Sequence, residues 1–368
     1  MRLVFALSGV AISAWAVLVP YAKIRFHLSD GALGEILFLT SIGGVSIMFL
    51  AGASVARWGS RVCLVAMLCL MCALMPALAV VPKVFLFTIL LFLYSAGFGL
   101  LDVALSAQGA VIETRSGKLC MSGFHACFSL GTLAAAFTAS LLFKMGATLE
   151  WFCGLCSMLI LTGLTQSFRL LPRSSDSPPT GRNFVVPNHR AVILGLSCFA
   201  AFMCEGATTD WSAVFLHFYR HMPLDDAILG YAFFAGASTL ARLSGDRLAM
   251  LLGQARLMRL GVVVAVLGFG LVVLIPSGIA GIIGFGLVGF GSGNIVPLVF
   301  SAASRVPGMA SHHSVPVVVG IGYVGFLAGP VMIGLVSSHF GLGMAFAVDA
   351  FLLGASFFAA RYTNPPGV

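Results

Sequence analysis

Charge is what this sequence has least of. Lys, Arg, Asp and Glu together make up 9% of its 368 residues, against 60% hydrophobic ones, and mean hydropathy is +1.06. A soluble domain carries about 25% charged residues because its surface must face water. A surface this poor in charge faces lipid instead. Alternation at period two is absent, which excludes a transmembrane β-barrel. Metal-ligand spacing is missing as well. All nine cysteines fall inside or at the edge of apolar runs. Cys69–Cys72 and Cys153–Cys156 have CxxC spacing but no second ligand pair at zinc-site distance, so they read as small apolar packing residues. His312 and His313 are adjacent and cannot face one metal ion from a helix. The glycine run from Gly281 to Gly293 lies inside an apolar span with no strand before it, so it is no nucleotide loop. No cofactor is expected.

Apolar segments are what the sequence has in abundance. A membrane helix needs about 20 mostly apolar residues, and twelve stretches qualify: 3–22, 32–56, 62–81, 84–111, 119–143, 150–171, 191–217, 226–251, 257–275, 278–304, 313–338 and 342–361. The chain reads as an all-α polytopic membrane protein. With the N-terminus inside, the inner loops and ends collect 15 of the 20 basic residues, a bias that places both termini in the cytoplasm. The net charge of +8 therefore reflects topology and not nucleic-acid binding. The first apolar run lacks a convincing cleavage site and reads as an uncleaved helix.

The phrase "LSDGALG" at 28–34 returns as "LDDAILG" at 224–230, an offset of 196. Gly97-Phe98-Gly99 with Asp102 matches Gly289-Phe290-Gly291 with Asn294 at 192. Gly59 matches Gly253, and Gly131 matches Gly325, both at 194. Matches in the same order make a duplicated six-helix unit. Six is even, so both halves enter the membrane from one side, the parallel repeat arrangement of major facilitator transporters. The expected organisation is an N-terminal bundle over 1–171, a cytoplasmic linker over 172–190 rich in Pro, Ser and Arg, and a C-terminal bundle over 191–368.

The phrases "ARWGSR" (56–61), "GFGLLDVALSAQGAVIE" (97–113), "FHACFSLGTLAAA" (124–136), "CEGATTDW" (204–211), "RLSGDRL" (242–248) and "GYVGFLAGPVMIG" (322–334) carry a family resemblance. The chain resembles bacterial major facilitator superfamily proteins, and within them the YbjJ-type, fucose-permease-like group. That resemblance implies a twelve-helix transporter fold and places gating residues in the inner loops. Here these are Arg57, Gly59 and Arg61 in the first half and Arg242, Asp246 and Arg247 in the second. The sequence departs from the pattern at Ala56, where the superfamily carries Asp, and at Met250-Leu251, where it carries Asp-Arg. Gln108 stands where the YbjJ-type pattern has a carboxylate. The resembled fucose–proton symporters use an acid on helix 1, and none lies between Arg2 and Lys23, which argues against fucose itself.

Ionisable groups inside the bilayer are costly, and each is a candidate for function. Glu205 falls near the middle of the seventh segment, with Thr209 and Ser212 on its face at i+4 and i+7. Asp210 is about 8 Å further out and turned about 140° away. Asp102 and Ser106 share a face of the fourth segment, and His125 in the fifth falls at a similar depth. An Asp–His pair can pass a proton, because His changes charge near neutrality; the alternative is a structural ion pair joining the two helices. Asn294, as the repeat partner of Asp102, is expected to present an amide that orients a hydroxylated solute. Arg242 and Asp246 are four apart and read as a gate or structural pair. Asp349, in the peripheral twelfth segment, reads as a packing or oligomer residue.

The expected function is a secondary transporter of a small polar organic solute, sugar-like or an organic acid, driven by a proton gradient. It is expected in a bacterial inner membrane and to work as a monomer. A drug–proton efflux antiporter is the alternative within transport, and a non-transporting solute sensor the alternative outside it. An enzyme is not expected, for want of a metal cluster or a Ser–His–acid set at one depth.

Overall fold

A computed structural model describes residues 1–116, 121–168, 171, 188–307, 309 and 311–364, with backbone alone at 48, 49, 110, 113–116, 121, 122 and 311–313. The described structure is α-helical. Helices α1 (Arg2–Arg25), α2 (Asp30–Trp58), α3 (Ser60–Val80), α4 (Val84–Ser116), α5 (Met121–Lys144) and α6 (Leu149–Phe168) make the first half. The second contains α7 (His189–Arg220), α8 (Leu224–Ala227), α9 (Leu229–Leu252), α10 (Gln254–Leu274), α11 (Gly278–Ser292), α12 (Ile295–Ala303), α13 (Ser311–Phe340) and α14 (Leu342–Ala359), closed by a 3₁₀ turn at Ala360–Tyr362. Helices α8 and α9 together form one span, as do α11 and α12. Among the described residues, twelve helical spans are long and apolar enough to cross a membrane, each matching a predicted segment.

Two compact units emerge. The first comprises Met1–Leu28 and Ile36–Thr180, the second Ser29–Glu35 and Gly181–Val368. Within the first, α1 packs on α5 and α6, and α3 packs on α4 and α6. Within the second, α7 packs on α13 and α14, and α10 packs on α11 and α14. These are the same pairings, element for element, so the duplication read in the sequence extends to packing. The first turn of α2 belongs to the second unit. Asp30 accepts hydrogen bonds there from the hydroxyls of Tyr219 and Ser337, and Gly34 lies against Gly334.

Small residues set the closest approaches, as they do where apolar burial alone cannot drive helix association. A Cβ placed on Gly131 would lie 2.0 Å from the Ala6 carbonyl oxygen, and one on Gly325 2.2 Å from that of Phe199. Gly59 and Gly253 open α3 and α10 at φ 82° and 80°, a backbone conformation that only glycine adopts without cost.

These contacts also fix the register of the repeat. Gly99 approaches the Gly44 carbonyl, and Gly293 approaches that of Ser238, both at an offset of 194. Gly97 lies on α3, while Gly291, again 194 later, lies on α10. The offset of 192 read from the Gly-Phe-Gly pair is therefore corrected. At 194, Asn294 aligns with Leu100, and Asp102 aligns with Val296.

Candidate functional site

The polar centre of the second unit is built from three spans: α7, α9 and the broken α11–α12. Glu205 projects from α7, and Arg242 from α9 meets it with Nη2 at 3.3 Å from Oε1 and 3.4 Å from Oε2. Both side chains are about one-third exposed, at 35% and 33%. The same guanidinium donates through Nε to the Gly293 carbonyl at 3.3 Å. That carbonyl lies at the break between α11 and α12, where backbone groups lose their helical partners. Asn294 completes the junction. Its Nδ2 donates to the Ala241 carbonyl at 2.8 Å, and its Oδ1 sits against Gly245 so closely that a Cβ there would be 2.3 Å away. Interruptions of this type, flanked by side-chain donors, are where transporter helices expose backbone to a cavity.

Arg242 thus takes Glu205 as its ion-pair partner, and Asp246, four residues on, is exposed. The sequence paired Arg242 with Asp246 because i, i+4 neighbours share a helix face. The structure shows the opposite acid, 37 positions earlier. Arg247 is exposed.

The polar stripe on α7 divides into parts with different surroundings. The Thr209 hydroxyl donates to the backbone carbonyl of Glu205 at 2.7 Å, so its hydrogen is used within the helix. Ser212, on the same face two turns on, is fully buried. Asp210 is half-buried. Tyr231 of α9 lies within electrostatic reach of Glu205, Asp210 and Arg242; its position one residue after the repeated motif gave no sign of this.

In the first unit, Asp102 and Ser106 are half-buried one turn apart on α4. His125 of α5 is exposed, its ring edge-on to Phe5 of α1 with centroids 5.4 Å apart. Of the expected gating residues in the first half, Gly59 makes the turn already described, and Arg57 is exposed beside Trp58. Arg61 is buried, with its guanidinium 4.0 Å from the centre of the Phe168 ring, a cation–π contact joining α3 to α6.

Two arginines that were not among the expected site residues have defined work. Arg25, at the end of α1, donates to the Leu78 carbonyl at 2.8 Å and to that of Ala79, at the end of α3. Arg220, at the end of α7, donates to the Val272 and Val273 carbonyls at 2.8 and 2.9 Å, at the end of α10. Each supplies donors to carbonyls that a helix C-terminus leaves unpaired. No group of three His, Cys, Asp or Glu able to hold a metal ion occurs among the described residues.

Residues 2–321 match the family described as Major Facilitator Superfamily, and the chain belongs to it. An uncharacterized MFS-type transporter of Yersinia pestis is 38% identical over 353 residues, covering 96% of this chain and 92% of the relative. Among solved structures, the nucleoside transporter NupG superposes with a TM-score of 0.75 at 16% identity, covering 98% of this chain and 97% of that one. A D-xylose-proton symporter gives 0.74 at 14% identity, covering 98% and 96%. At those identities the structural likeness speaks to the fold alone, and the fold is that of the superfamily.

Proposed function

We propose that the protein is a secondary active transporter of a small polar organic solute, sugar-like or an organic acid, working by alternating access with proton coupling. The observation that carries this reading is the Glu205–Arg242–Gly293 arrangement. A carboxylate and a guanidinium, each about one-third exposed, meet beside an interrupted helix in a chain that otherwise avoids charge. Keeping such groups within membrane spans is costly, and the cost is met where they face a pathway or each other.

The guanidinium offers planar donors to hydroxyl or carboxylate groups of a solute, and Glu205 is the group that a proton can neutralise. When Glu205 takes a proton, Arg242 loses its counter-charge and turns to the solute; when Glu205 releases it, the pair re-forms. That exchange gives coupling a physical basis. Membership of the YbjJ-type, fucose-permease-like subgroup, cytoplasmic termini, a bacterial inner membrane and action as a monomer belong to the same proposal. The relatives support it by their description as transporters, and one structural neighbour is a sugar–proton symporter by name.

The test is uptake by proteoliposomes carrying an inward proton gradient, with labelled sugars, sugar acids, amino acids and organic acids offered singly. Accumulation of one class, abolished by collapsing the gradient, is the expected result. No accumulation of any of them, with export of apolar compounds instead, would replace this proposal with efflux.

A further inference from the structure

The second unit contains another acid, away from the Glu205–Arg242 pair. Asp349 of α14 is completely buried, and neither carboxylate oxygen has a hydrogen-bond partner. Three more buried polar atoms without partners lie on one helix: Thr208 Oγ1, Trp211 Nε1 and Ser212 Oγ of α7, all on residues with no exposed surface. Positions 208, 211 and 212 share a face at i, i+3 and i+4.

Register places that face opposite Asp349. Phe215 of α7 meets Phe346 of α14 edge-on at 5.4 Å between centroids. Asp349 is one turn beyond Phe346 on the same face. Cys204, earlier on α7, lies within electrostatic reach of Asp349. Moving from Phe346 to Asp349 therefore runs back along α7 from Phe215 toward Cys204, in the direction of Ser212, Trp211 and Thr208, with Ser212 also bordering Gly230 of α9.

Nothing cationic balances this carboxyl among the described residues. Arg242 is held by Glu205, and Arg220 by the Val272 and Val273 carbonyls. Arg259 of α10 lies over Phe357, two turns along α14. Arg256 is exposed, and Arg361 lies over Tyr362. On α13, His339 is exposed at the helix end. His217 of α7 bonds the Met222 carbonyl. A buried carboxylate without a counter-ion is far costlier than the neutral acid. Buried polar groups are nearly always satisfied, and one internal water makes two to four such bonds.

We propose that the α7–α14 seam is a second proton-binding site, in which Asp349 takes one proton from water and is held as the neutral acid. Thr208, Trp211 and Ser212 enclose it, with internal water linking groups that do not reach one another directly. The acid O–H donates to a hydroxyl or water oxygen of the cluster, and the Trp211 N–H donates to a carboxyl or water oxygen there. This site does not depend on the transport proposal.

Infrared difference spectroscopy on the full chain in liposomes at neutral pH tests the assignment. A protonated-carboxyl C=O stretch is expected in the wild type and absent in Asp349→Asn. Ser212→Ala and Thr208→Val leave Asp349 in place and should shift the frequency of that band, which keeps the test open if Asp349→Asn does not insert. No protonated-carboxyl band dependent on Asp349 would overturn the proposal, as would a band that neither hydroxyl variant moves. A carboxylate band that responds to sodium but not to choline would also overturn it, by making the occupant a metal ion.

Discussion

Glu205 and Arg242, 37 positions apart in the chain, are ion-paired at 3.3 Å, and the same guanidinium reaches the open carbonyl of Gly293. One side chain thus links α7, α9 and the break between α11 and α12. In a protein with 12 acidic and 20 basic residues, that concentration of charge in membrane-spanning helices requires a purpose.

If the pair acts as a unit, single and double changes will not add. Arg242→Ala is expected to lower uptake by about tenfold or more, and Glu205→Ala likewise, since each leaves the other charge unpaired. The double variant should then fall little further than either single one, and the charge-swapped pair should recover part of the loss. A double-mutant cycle on initial uptake rates measures this coupling. Strictly additive losses would show two independent roles.

Asn294 holds the broken span through the Ala241 carbonyl, and Gly245 leaves room for its amide. Gly245→Ala should push that amide away and reduce uptake by several-fold while helical content, read by circular dichroism, stays unchanged. Gly320→Ala has open space around it and is the matched control expected to leave uptake intact.

Backbone contact at Gly131 and Gly325 leaves no flexible side chain to yield. Alanine at either position should cost about 1–3 kcal/mol, the usual penalty of overpacking, seen as a lower unfolding temperature in detergent. Gly154→Ala, with nothing within 4 Å, should not change it.

Arg25 and Arg220 do equivalent work in the two units, so their removal should have equivalent effects. Hydrogen bonds from a charged donor are worth about 1.5–3 kcal/mol. Arg25→Ala and Arg220→Ala should each lower the unfolding temperature, and faster amide hydrogen exchange at the end of α3 or α10 respectively would localise the loss. Unchanged exchange at those ends would remove the capping role.

Much of the fold was legible because each span announces itself by a long apolar run. The repeat was legible too, through phrases that recur near an offset of 194. Its register was not, for a local reason. The stretch from Gly289 to Gly293 offers two Gly-x-Gly matches, and the letters favour the one containing Phe290. Packing selects Gly291-Ser292-Gly293, since only that choice gives both helices the same neighbours. Glu205 stood out as an acid near the middle of an apolar segment, with Asp210 further out on the same helix. Arg242 was noticed, but its partner was assigned by proximity along the helix, and a contact across 37 positions is created only by folding. Asp349 was set aside because its helix looked peripheral; its complete burial follows from packing of α14 on α7, α10 and α13 that no single segment reveals.

The most direct measurement of the central claim uses proteoliposomes with a lumenal pH dye, comparing wild type with Glu205→Gln. Addition of a transported solute should change lumenal pH in the wild type. In Glu205→Gln the pH change should vanish while the protein inserts normally and still exchanges labelled for unlabelled solute. An equal pH change in both proteins would contradict the account, because proton movement would then not pass through Glu205.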